Sequence, residues 1–361
     1  MSRSRNGVGG YRGRRTVGDV LRWIAIALGV VVVLVLAGLV FGQQYIEYTD
    51  DGIRLELPFG SDHEKPDKKP DDVEIVEKPS LDEEGDSSQT EEEPPAPASQ
   101  AMKALELPLS AILDGTAAQQ LEAAGANALV VEMKTLKGNL NWVSQEPHAL
   151  SSGVNSTVAG INETLKQFNS GEVYTIARVT CFADDIAPYY KMAMGLRSGG
   201  GNWRDGNGSR WLNPLAAEAQ SYLTALLGEL KELGFDEVLL EYAACPTDRE
   251  GNLATADFSS SDFAGAISGP NGFLAQAKAV LGDCKLSVRT QAGVITGELA
   301  GGGLTPQGLE QFADRIWMPA GEQDSLAVLT AAGITGGADR LVELTPALSG
   351  ESPLSQAQLK G

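Results

Sequence analysis

From about Ala104 onward, short apolar runs alternate with segments whose apolar residues recur at helical spacing. Strands are predicted at Leu107–Leu113, Ala128–Lys134, Val173–Phe182, Phe235–Ala243, Lys285–Gln291, Arg315–Met318 and Arg340–Leu344. Helices are predicted between them, near Thr116–Ala124, Val158–Phe168, Pro214–Leu233, Phe263–Leu281, Pro306–Ala313 and Ser325–Ala332. Such alternation indicates a parallel sheet covered by helices, and therefore an α/β fold.

The length of this region is close to the roughly 250 residues of a (β/α)8 TIM-like barrel. Only seven strands are clear, and an eighth would have to come from the weakly patterned tail Ala347–Leu359. We therefore expect a barrel that is incomplete or irregularly closed. An open, doubly wound sheet is the alternative, although no GxGxxG motif follows the first strand.

The most informative run is Phe235–Pro246, FDEVLLEYAACP. Its near-continuous hydrophobicity is typical of a strand covered on both faces. The run ends in Glu241 and Tyr242, and the carboxyl ends of barrel strands are where this fold carries its chemistry. Glu241 is therefore the first candidate for a catalytic residue.

The N-terminal part of the chain has a different pattern. Residues 1–20 are basic, with five arginines, and Leu21–Gly42 is almost uninterruptedly apolar. About 20 apolar residues cross a bilayer as a helix, so we predict a single transmembrane helix at 21–42. The upstream arginines place the N-terminus in the cytoplasm and the rest of the chain outside. A cleaved signal peptide is less favoured, because the run exceeds the usual 7–15 residues.

Between this segment and the barrel, two stretches differ in composition. Residues 43–60 alternate around Asp50-Asp51-Gly52, which predicts a short β-hairpin. Residues 61–103 are acidic and Pro-rich with almost no aromatics, which predicts a disordered, extended linker. The barrel domain is then assigned to residues 104–361.

Composition excludes several classes of function. The net charge of −20 leaves no basic patch for phosphates, so we expect no nucleic-acid partner. With two histidines and no CxxC spacing, no metal site and no cofactor are expected. Three cysteines do not form a disulfide framework, although Cys181 and Cys245 fall on neighbouring predicted strands, so that a bond between them is possible.

Carboxylates recur at the predicted strand ends. Glu132 and Lys134 share one face at the end of strand two, Glu241 ends strand four, and Glu343 lies near the end of strand seven. Inward carboxylates are costly in an apolar barrel unless they line a solvated mouth or are paired. Two of them flanking a sugar bond are the apparatus of a glycosidase. The alternative is a structural ion pair, for example Glu132 with Lys134 or Arg178.

Aromatic residues lie in or near the loops after strands two, three and four: Trp142, Tyr189, Tyr190, Trp203, Trp211 and Tyr242. Loops at this end of a barrel form the site, and flat rings stack on sugars. The alternative is that these rings are core residues at the barrel end. The Gly-rich loop Gly199–Pro214 exceeds the roughly 12–15 residues beyond which loops tend to be functional.

Four segments in order resemble a glycoside hydrolase-like domain of uncharacterised bacterial surface proteins: ALVVEMKTLKGNLNWVS, VYTIARVTCFADD, WRDGNGSRWLNP and ELGFDEVLLEYAACP. The resemblance implies a TIM barrel related to α-amylase-like hydrolases. It covers about Ala128–Pro246 well.

The resemblance also implies roles for individual residues. Glu132 and Lys134 match the family's strand-two Asp and Lys, and Arg178 matches its strand-three Arg. Trp211 and Asn213 fall in its tryptophan loop, and Trp203 lies in the same segment. Glu241 and Tyr242 match its strand-four Asp-Tyr. Glu replaces Asp at both strand ends, Ala244 replaces an Arg, and Arg289 lies on strand five, where the family has an acid. A displacement of about 1 Å can cost roughly a hundredfold in rate, so these departures predict weak or absent hydrolysis.

Three hypotheses follow. The first is a membrane-anchored enzyme acting on cell-envelope or extracellular glycan, such as peptidoglycan, with Glu241, Glu132 and Glu343 catalytic and Lys134, Arg178, Trp203, Trp211, Asn213 and Tyr242 binding substrate. The second is an inactive barrel that binds glycan or an envelope protein, and the third is a structural surface protein. A second unpaired carboxylate within ~5–10 Å of Glu241 would favour the enzyme. Neutralisation of Glu241 by Arg178 or Arg289 would favour the binder.

Overall fold

A computed structural model describes residues 46–49, 52–55, 101–257, 269–299, 302–321 and 324–360. The chain divides into two compact units, Met1–Thr90 and Glu91–Gly361. In the first, Ile46–Thr49 pairs antiparallel with Gly52–Leu55, within the segment where a hairpin is predicted. The predicted transmembrane helix and residues 61–100 of the predicted linker lie outside the described residues, whereas Lys103, the last residue assigned to that linker, lies in a strand. No helix within the described ranges is long and apolar enough to span a bilayer.

The second unit is built on a closed barrel of eight parallel strands, in which each strand pairs with the next in sequence and the last pairs with the first. The strands are β1 Lys103–Glu106, β2 Ala128–Lys134, β3 Tyr174–Thr180, β4 Glu237–Glu241, β5 Lys285–Arg289, β6 Arg315–Pro319, β7 Leu341–Leu344 and β8 Ser355–Gln358. The TIM-like fold is therefore confirmed. The expectation of an incomplete or irregular barrel is wrong, and the open sheet is excluded.

Helices follow the strands around the outside of the barrel. They are α1 Ser110–Leu113, α2 Ala117–Ala124, α3 Pro147–Ser152, α4 Ile161–Asn169, α5 Ala187–Tyr190, α6 Ala217–Glu232, α7 Gly269–Leu281, α8 Ala292–Thr296, α9 Pro306–Phe312, α10 Ser325–Ala331 and α11 Gly337–Arg340. Their buried faces pack with the outward side chains of the strands, such as Leu129, Val131, Val179 and Leu240, in one large apolar core.

Both ends of the barrel chain differ from the prediction. The predicted strand Leu107–Leu113 is wrong: β1 ends at Glu106, Pro108 lacks an amide for the ladder, and the apolar residues after it form α1, which buries Ala111 and Ile112. The closing strand β8 reads SQAQ, so its residues give little apolar signal. Backbone pairing on both sides holds β8, between β7 and β1.

The barrel interior has a layered structure. Its centre is apolar, with Val130, Ile176, Leu239, Trp317 and Val342 among its members. At the amino-terminal end, Glu237 pairs with Arg315 and accepts hydrogen bonds from the hydroxyls of Tyr174 and Ser287. The carboxyl-terminal end holds a second charged layer, which is the candidate functional site.

Candidate functional site

Three carboxylates enter the carboxyl-terminal end of the barrel. Glu106, Glu132 and Glu241 are each two residues beyond an interior apolar residue of β1, β2 or β4, so strand alternation turns them inward. Arg178 of β3 lies between them. Its Nη2 lies 2.8 Å from Glu106 Oε1 and 3.0 Å from Glu132 Oε1, and its Nη1 lies 2.9 Å from Glu241 Oε2. One guanidinium therefore holds all three carboxylates.

Glu241 has a second cationic partner. Arg289 of β5 binds Glu241 Oε1, the oxygen that Arg178 does not contact. The side chain of Glu241 is 3% exposed, whereas that of Arg289 is 41% exposed. Both oxygens of the strand-four carboxylate are thus occupied by charge-assisted hydrogen bonds, which are about twice as strong as neutral ones.

The crowding of charge perturbs the titration of this group. Burial raises the pKa of Glu106 above its ordinary value of 4.5, Arg178 opposes the rise, and the neighbouring carboxylates of Glu241 and Glu132 add to it. For Arg178, burial acts to lower the pKa, but Glu241, Glu106 and Glu132 together raise it. Arg178 therefore stays charged, and burial favours the neutral form of Glu106.

A pocket of about 290 Å³ opens beside Glu241. Its polar and aromatic lining includes Trp211, Tyr242, Thr247, Arg249, Glu250, Arg289, Thr290 and Gln291. The rings of Trp211 and Tyr242 meet edge to face at 5.7 Å. Trp211 is nearly buried, so the pocket combines the exposed ring of Tyr242 with several hydrogen-bonding groups, a combination that suits a sugar.

Tyr242 has an unusual backbone at the point where β4 ends. Its φ is +50°, in the left-handed region that non-glycine residues rarely adopt. Its ring is 40% exposed, and burial together with the Glu241 charge raises the pKa of its hydroxyl. The turn carries the ring away from the strand and into the lining of the pocket.

Glu250 is a pocket residue that the strand-end pattern did not identify. It follows β4 in the loop, where its Oε2 accepts hydrogen bonds from the backbone amide (2.6 Å) and the hydroxyl (2.7 Å) of Thr247 in a capping box. The sequence TDRE has the Thr-x-x-Glu spacing of a capping box, and this pattern could have drawn attention to Glu250. Glu106 was missed because β1 was predicted four residues too late.

Lys134 does not reach the pocket. The register shifts between Glu132 and Lys134, so Lys134 pairs with Val179, whose side chain faces the outer core. Its Nζ donates to Thr180 O at 2.8 Å and pairs with Asp184 Oδ2 at 2.8 Å, and neither side chain of the pair is exposed. The prediction that Glu132 and Lys134 share a face is therefore wrong, because the added residue turns Lys134 outward.

Glu343 also lies apart from the group. Its neighbours Val342 and Leu344 contact the barrel interior, so alternation places Glu343 on the outer face of β7. The strand was predicted correctly, but its inward face was not. A carboxylate on the outer face cannot act with Glu241.

The remaining predicted ligands are divided between pocket and scaffold. Trp211 lines the pocket and donates from Nε1 to Asp205 Oδ2 at 3.1 Å. Trp203 is fully buried and donates to Asn252 O at 3.1 Å, and Trp142 is buried as well. The side chain of Asn213 accepts from the Leu215 amide at 3.0 Å, in the turn before α6. Trp211 is also nearly buried, at 2% exposed, so of these residues it alone borders the pocket, and it does so mainly as part of the scaffold.

The cysteines and possible metal ligands complete the description. Cys181, Cys245 and Cys284 are buried free thiols, so the possible Cys181–Cys245 bond is not formed. Within the described ranges, no cluster of three or more His, Cys, Asp or Glu side chains could hold a metal ion.

An eight-stranded parallel barrel with carboxylates at its strand ends, beside an aromatic-lined pocket, has the architecture of the TIM-barrel glycosidases. Residues 113–313, more than half of the chain, match the family described as "Putative glycosyl hydrolase domain". The chain belongs to this family of glycosyl hydrolase domains.

Solved structures with similar folds include three from different organisms. A hypothetical protein from Ruminiclostridium thermocellum is 26% identical over 51% of this chain and 96% of that chain, with a TM-score of 0.43. A chitinase from Chromobacterium violaceum is 14% identical over 68% of each chain, with a TM-score of 0.38. Ega3 of Aspergillus fumigatus, solved with galactosamine, is 11% identical over 69% of this chain and 78% of that chain, with a TM-score of 0.39. No curated protein matches the chain.

Proposed function

We propose that this protein is a membrane-anchored, extracytoplasmic barrel that binds a glycan in the pocket beside Glu241 without hydrolysing it. The observation that supports the proposal most directly is that Glu241 forms ion pairs with both Arg178 and Arg289. A nucleophilic carboxylate must present an oxygen to the anomeric carbon. Here each oxygen is already bound to a guanidinium, and the side chain is nearly buried.

The second catalytic carboxylate meets the same obstacle. A general acid must be protonated and within reach of the leaving oxygen. Glu106 has the raised pKa, but its side chain is 6% exposed, one of its oxygens is bound by Arg178 and the other by the Lys360 amide at 2.7 Å. Glu132 is more exposed, at 35%, but is tied to Arg178. Each of the three carboxylates is therefore paired with Arg178, and Glu106, whose pKa is raised, is nearly buried.

Hydrolysis is the second candidate function, and one observation favours it. Glu132 and Glu241 are bridged by a single guanidinium, which keeps them within the upper limit of about 9.5 Å for glycosidase carboxylates. If a bound sugar displaced Arg289, whose side chain is partly exposed, Glu241 would be partly released.

The deciding experiment uses the full chain, purified in detergent, beside its Glu241→Gln and Tyr242→Gly variants. Each protein is tested for retention on insoluble peptidoglycan, chitin, cellulose, xylan and starch, and for release of reducing sugar. We expect retention on one glycan, weaker retention for Tyr242→Gly, and no release. Glycine suits the second variant because it removes the ring while accepting the positive φ.

Each outcome has a definite meaning. Sugar release that disappears in Glu241→Gln would establish hydrolysis and refute the proposal that the barrel binds a glycan without cleaving it. Release that persists in that variant would move the chemistry away from Glu241. Absence of both retention and release would refute a glycan function on this panel.

The anchoring part of the proposal rests on the sequence. Leu21–Gly42 is long enough to span a bilayer, and the arginines before it favour a cytoplasmic N-terminus. We expect added protease to digest the barrel domain in intact cells from which any outer wall layer has been removed, while a cytoplasmic marker survives. Protection of the barrel until the membrane is lysed would refute this orientation.

A further inference from the structure

We propose that Tyr189 and Tyr190 form a second sugar-binding platform, which extends the glycan site from the pocket beyond Trp211. This inference rests on the proposed function, because it takes the same class of ligand. It assigns the site to a glycan chain of several units rather than to a single sugar.

The exposure of the two rings is the first observation. Among the large hydrophobic side chains in the described residues, Tyr189 and Tyr190 are the most exposed, at 63% and 60%. The rings meet edge to face at 5.2 Å, and the guanidinium of Arg210 lies 4.8 Å from the centre of the Tyr189 ring. Met192, just beyond them, is 50% exposed. Clustered exposed rings of this kind usually mark an interaction site.

The platform stands on a fixed base. The carboxylate of Asp184 accepts hydrogen bonds through Oδ1 from the amides of Ile186 and Ala187, at 2.9 and 2.8 Å, where α5 begins. Its Oδ2 is paired with Lys134 in the fully buried ion pair. A Cβ at Gly138 would lie 2.3 Å from Asp184 Oδ1, so glycine is required for this close packing. These contacts fix the backbone that carries the two tyrosines, so binding a ligand through them costs little conformational entropy.

The platform adjoins the pocket through one extended segment. Trp211 lines the pocket and is bridged to Ala183, just before the loop that leads into α5. Arg210, the preceding residue, covers one side of Tyr189 and donates to Asp185 Oδ1 at 2.7 Å. Neighbouring residues in an extended segment point to opposite sides. One segment of the chain therefore carries a pocket residue, Trp211, on one side and a platform residue, Arg210, on the other.

The chemistry of the platform fits a sugar better than a protein. Two tyrosine rings and one methionine, interrupted by Lys191 and Arg210, fall well short of the roughly 1,000 Å² that a specific protein interface buries. Tyrosine offers a flat apolar ring for the C–H face of a sugar and a hydroxyl for its polar edge. Arg210 and Asp185 lie beside the rings to donate to and accept from sugar hydroxyls.

The test compares ligands of different length. The full chain in detergent is titrated with disaccharides and hexasaccharides of the β-1,4-N-acetylglucosamine, β-1,4-glucose and α-1,4-glucose series. The same is done for a Tyr189→Ala/Tyr190→Ala variant, a Tyr189→Phe/Tyr190→Phe variant that keeps both rings, and Leu113→Ala as a control at another exposed position. Removing a binding-site aromatic usually weakens affinity by about tenfold.

We expect the wild type to bind one hexasaccharide more tightly than its disaccharide. The double alanine variant should lose about tenfold for the hexasaccharide and nothing for the disaccharide. The phenylalanine variant, which keeps the rings but lacks the hydroxyls, should lose less than the alanine variant, and Leu113→Ala should match the wild type. Unchanged hexasaccharide binding in the alanine variant would overturn the platform and leave the pocket intact. If no oligosaccharide of any series binds, both the platform and the pocket are refuted as glycan sites. Failure of the alanine variant to sediment with anionic lipid vesicles that the wild type binds would reassign the tyrosines to a membrane surface.

Discussion

Arg178 has more charged neighbours than its position on a barrel strand would suggest. Its guanidinium contacts carboxylates from three strands, and its side chain is 13% exposed. Ions taken out of water are costly unless they are paired. The arginine therefore makes it possible for three acids to point into one barrel.

The first prediction concerns this pairing. Arg178→Met keeps most of the side-chain volume but leaves Glu106 and Glu241 buried with one cation fewer. We expect the free energy of unfolding, measured in urea at neutral pH, to fall by about 3–5 kcal/mol. The loss should shrink as the pH falls, because protonation removes the repulsion among the acids. An equal loss at all pH values would point to packing rather than charge. Arg315→Met, at the other end of the barrel, is the matched control for a lost buried arginine.

The second prediction concerns the pH dependence of Glu106. Its pKa is raised in the folded chain, so folding favours its protonated form. Its contribution to stability is fully present below its ordinary pKa of 4.5 and is lost as the pH rises through the folded-state value. Stability of the wild type relative to Glu106→Gln should therefore decrease from acidic toward neutral pH, and then level off. Urea midpoints across this range measure it. The exposed Glu122→Gln variant is the matched control, and a flat Glu106 profile would contradict the assignment.

At the residue scale, the sequence predicted part of the site for a clear reason. Glu132 and Glu241 could be identified because each lies near the end of an apolar strand pattern, whereas Arg178 was identified through the family resemblance. Their pairing could be named only as one alternative, since alternation does not show which neighbours pair. Glu343 illustrates the limit: its strand was correct, but nothing in four residues distinguishes the inner face from the outer.

Among the elements, the turn after β4 holds Tyr242 in a strained backbone conformation. A third prediction compares two variants at Tyr242 that both lose the ring. Glycine accepts a φ of +50° freely, whereas alanine does not. Tyr242→Gly should therefore be more stable than Tyr242→Ala by about 1 kcal/mol in urea unfolding. Equal stability of the two would show that the left-handed conformation is not retained in solution.

The fourth prediction concerns the loop after β3 and its buried anchor. Lys134→Met leaves the carboxylate of Asp184 without its cation, and we expect it to cost about 3–5 kcal/mol of unfolding free energy. The exposed pair Lys191–Glu218, at 3.2 Å, provides the comparison, and Glu218→Gln should cost less than about 1 kcal/mol. Similar losses of unfolding free energy at the two sites would show that the buried pair contributes no more to stability than the exposed pair.

The predictability of the elements followed their apolar content. β2 was predicted to the residue, because ALVVEMK is buried along almost its whole length. The helices α6 and α9 were predicted nearly as well from their periodicity. β8 could be placed only within the weakly patterned tail Ala347–Leu359, because its ladder depends on backbone amides and carbonyls, which any sequence supplies. β1 was misplaced because Leu107–Leu113 is more apolar than the strand itself.

For the whole molecule, closure is the property on which the other features depend. β8 joins β7 to β1, and the Lys360 amide, just beyond it, donates to Glu106. The last residues of the chain thus complete both the barrel and the charged layer.

The fifth prediction tests this closure. A chain ending after Gly350 would expose two unpaired strand edges, which promote aggregation. We expect it to lose the cooperative thermal transition and to aggregate. Lys360→Ala keeps β8 and the backbone amide at Glu106, so it should melt like the wild type. A truncated chain that remained monomeric and melted cooperatively would show that the barrel folds without its closing strand.

The ionic layer at the mouth of the barrel also constrains how such a protein can diverge. Arg178 pairs with Glu106, Glu132 and Glu241, and Glu241 also pairs with Arg289, so replacing Arg178 or Glu241 removes a partner from other charged groups at this end of the barrel. Selection for a folded chain alone is then enough to retain them over generations, whether or not a sugar bond is ever cut. Acidic residues shared at these positions by descendants of one ancestor would record a common scaffold, and they should not be counted as proof of an inherited reaction.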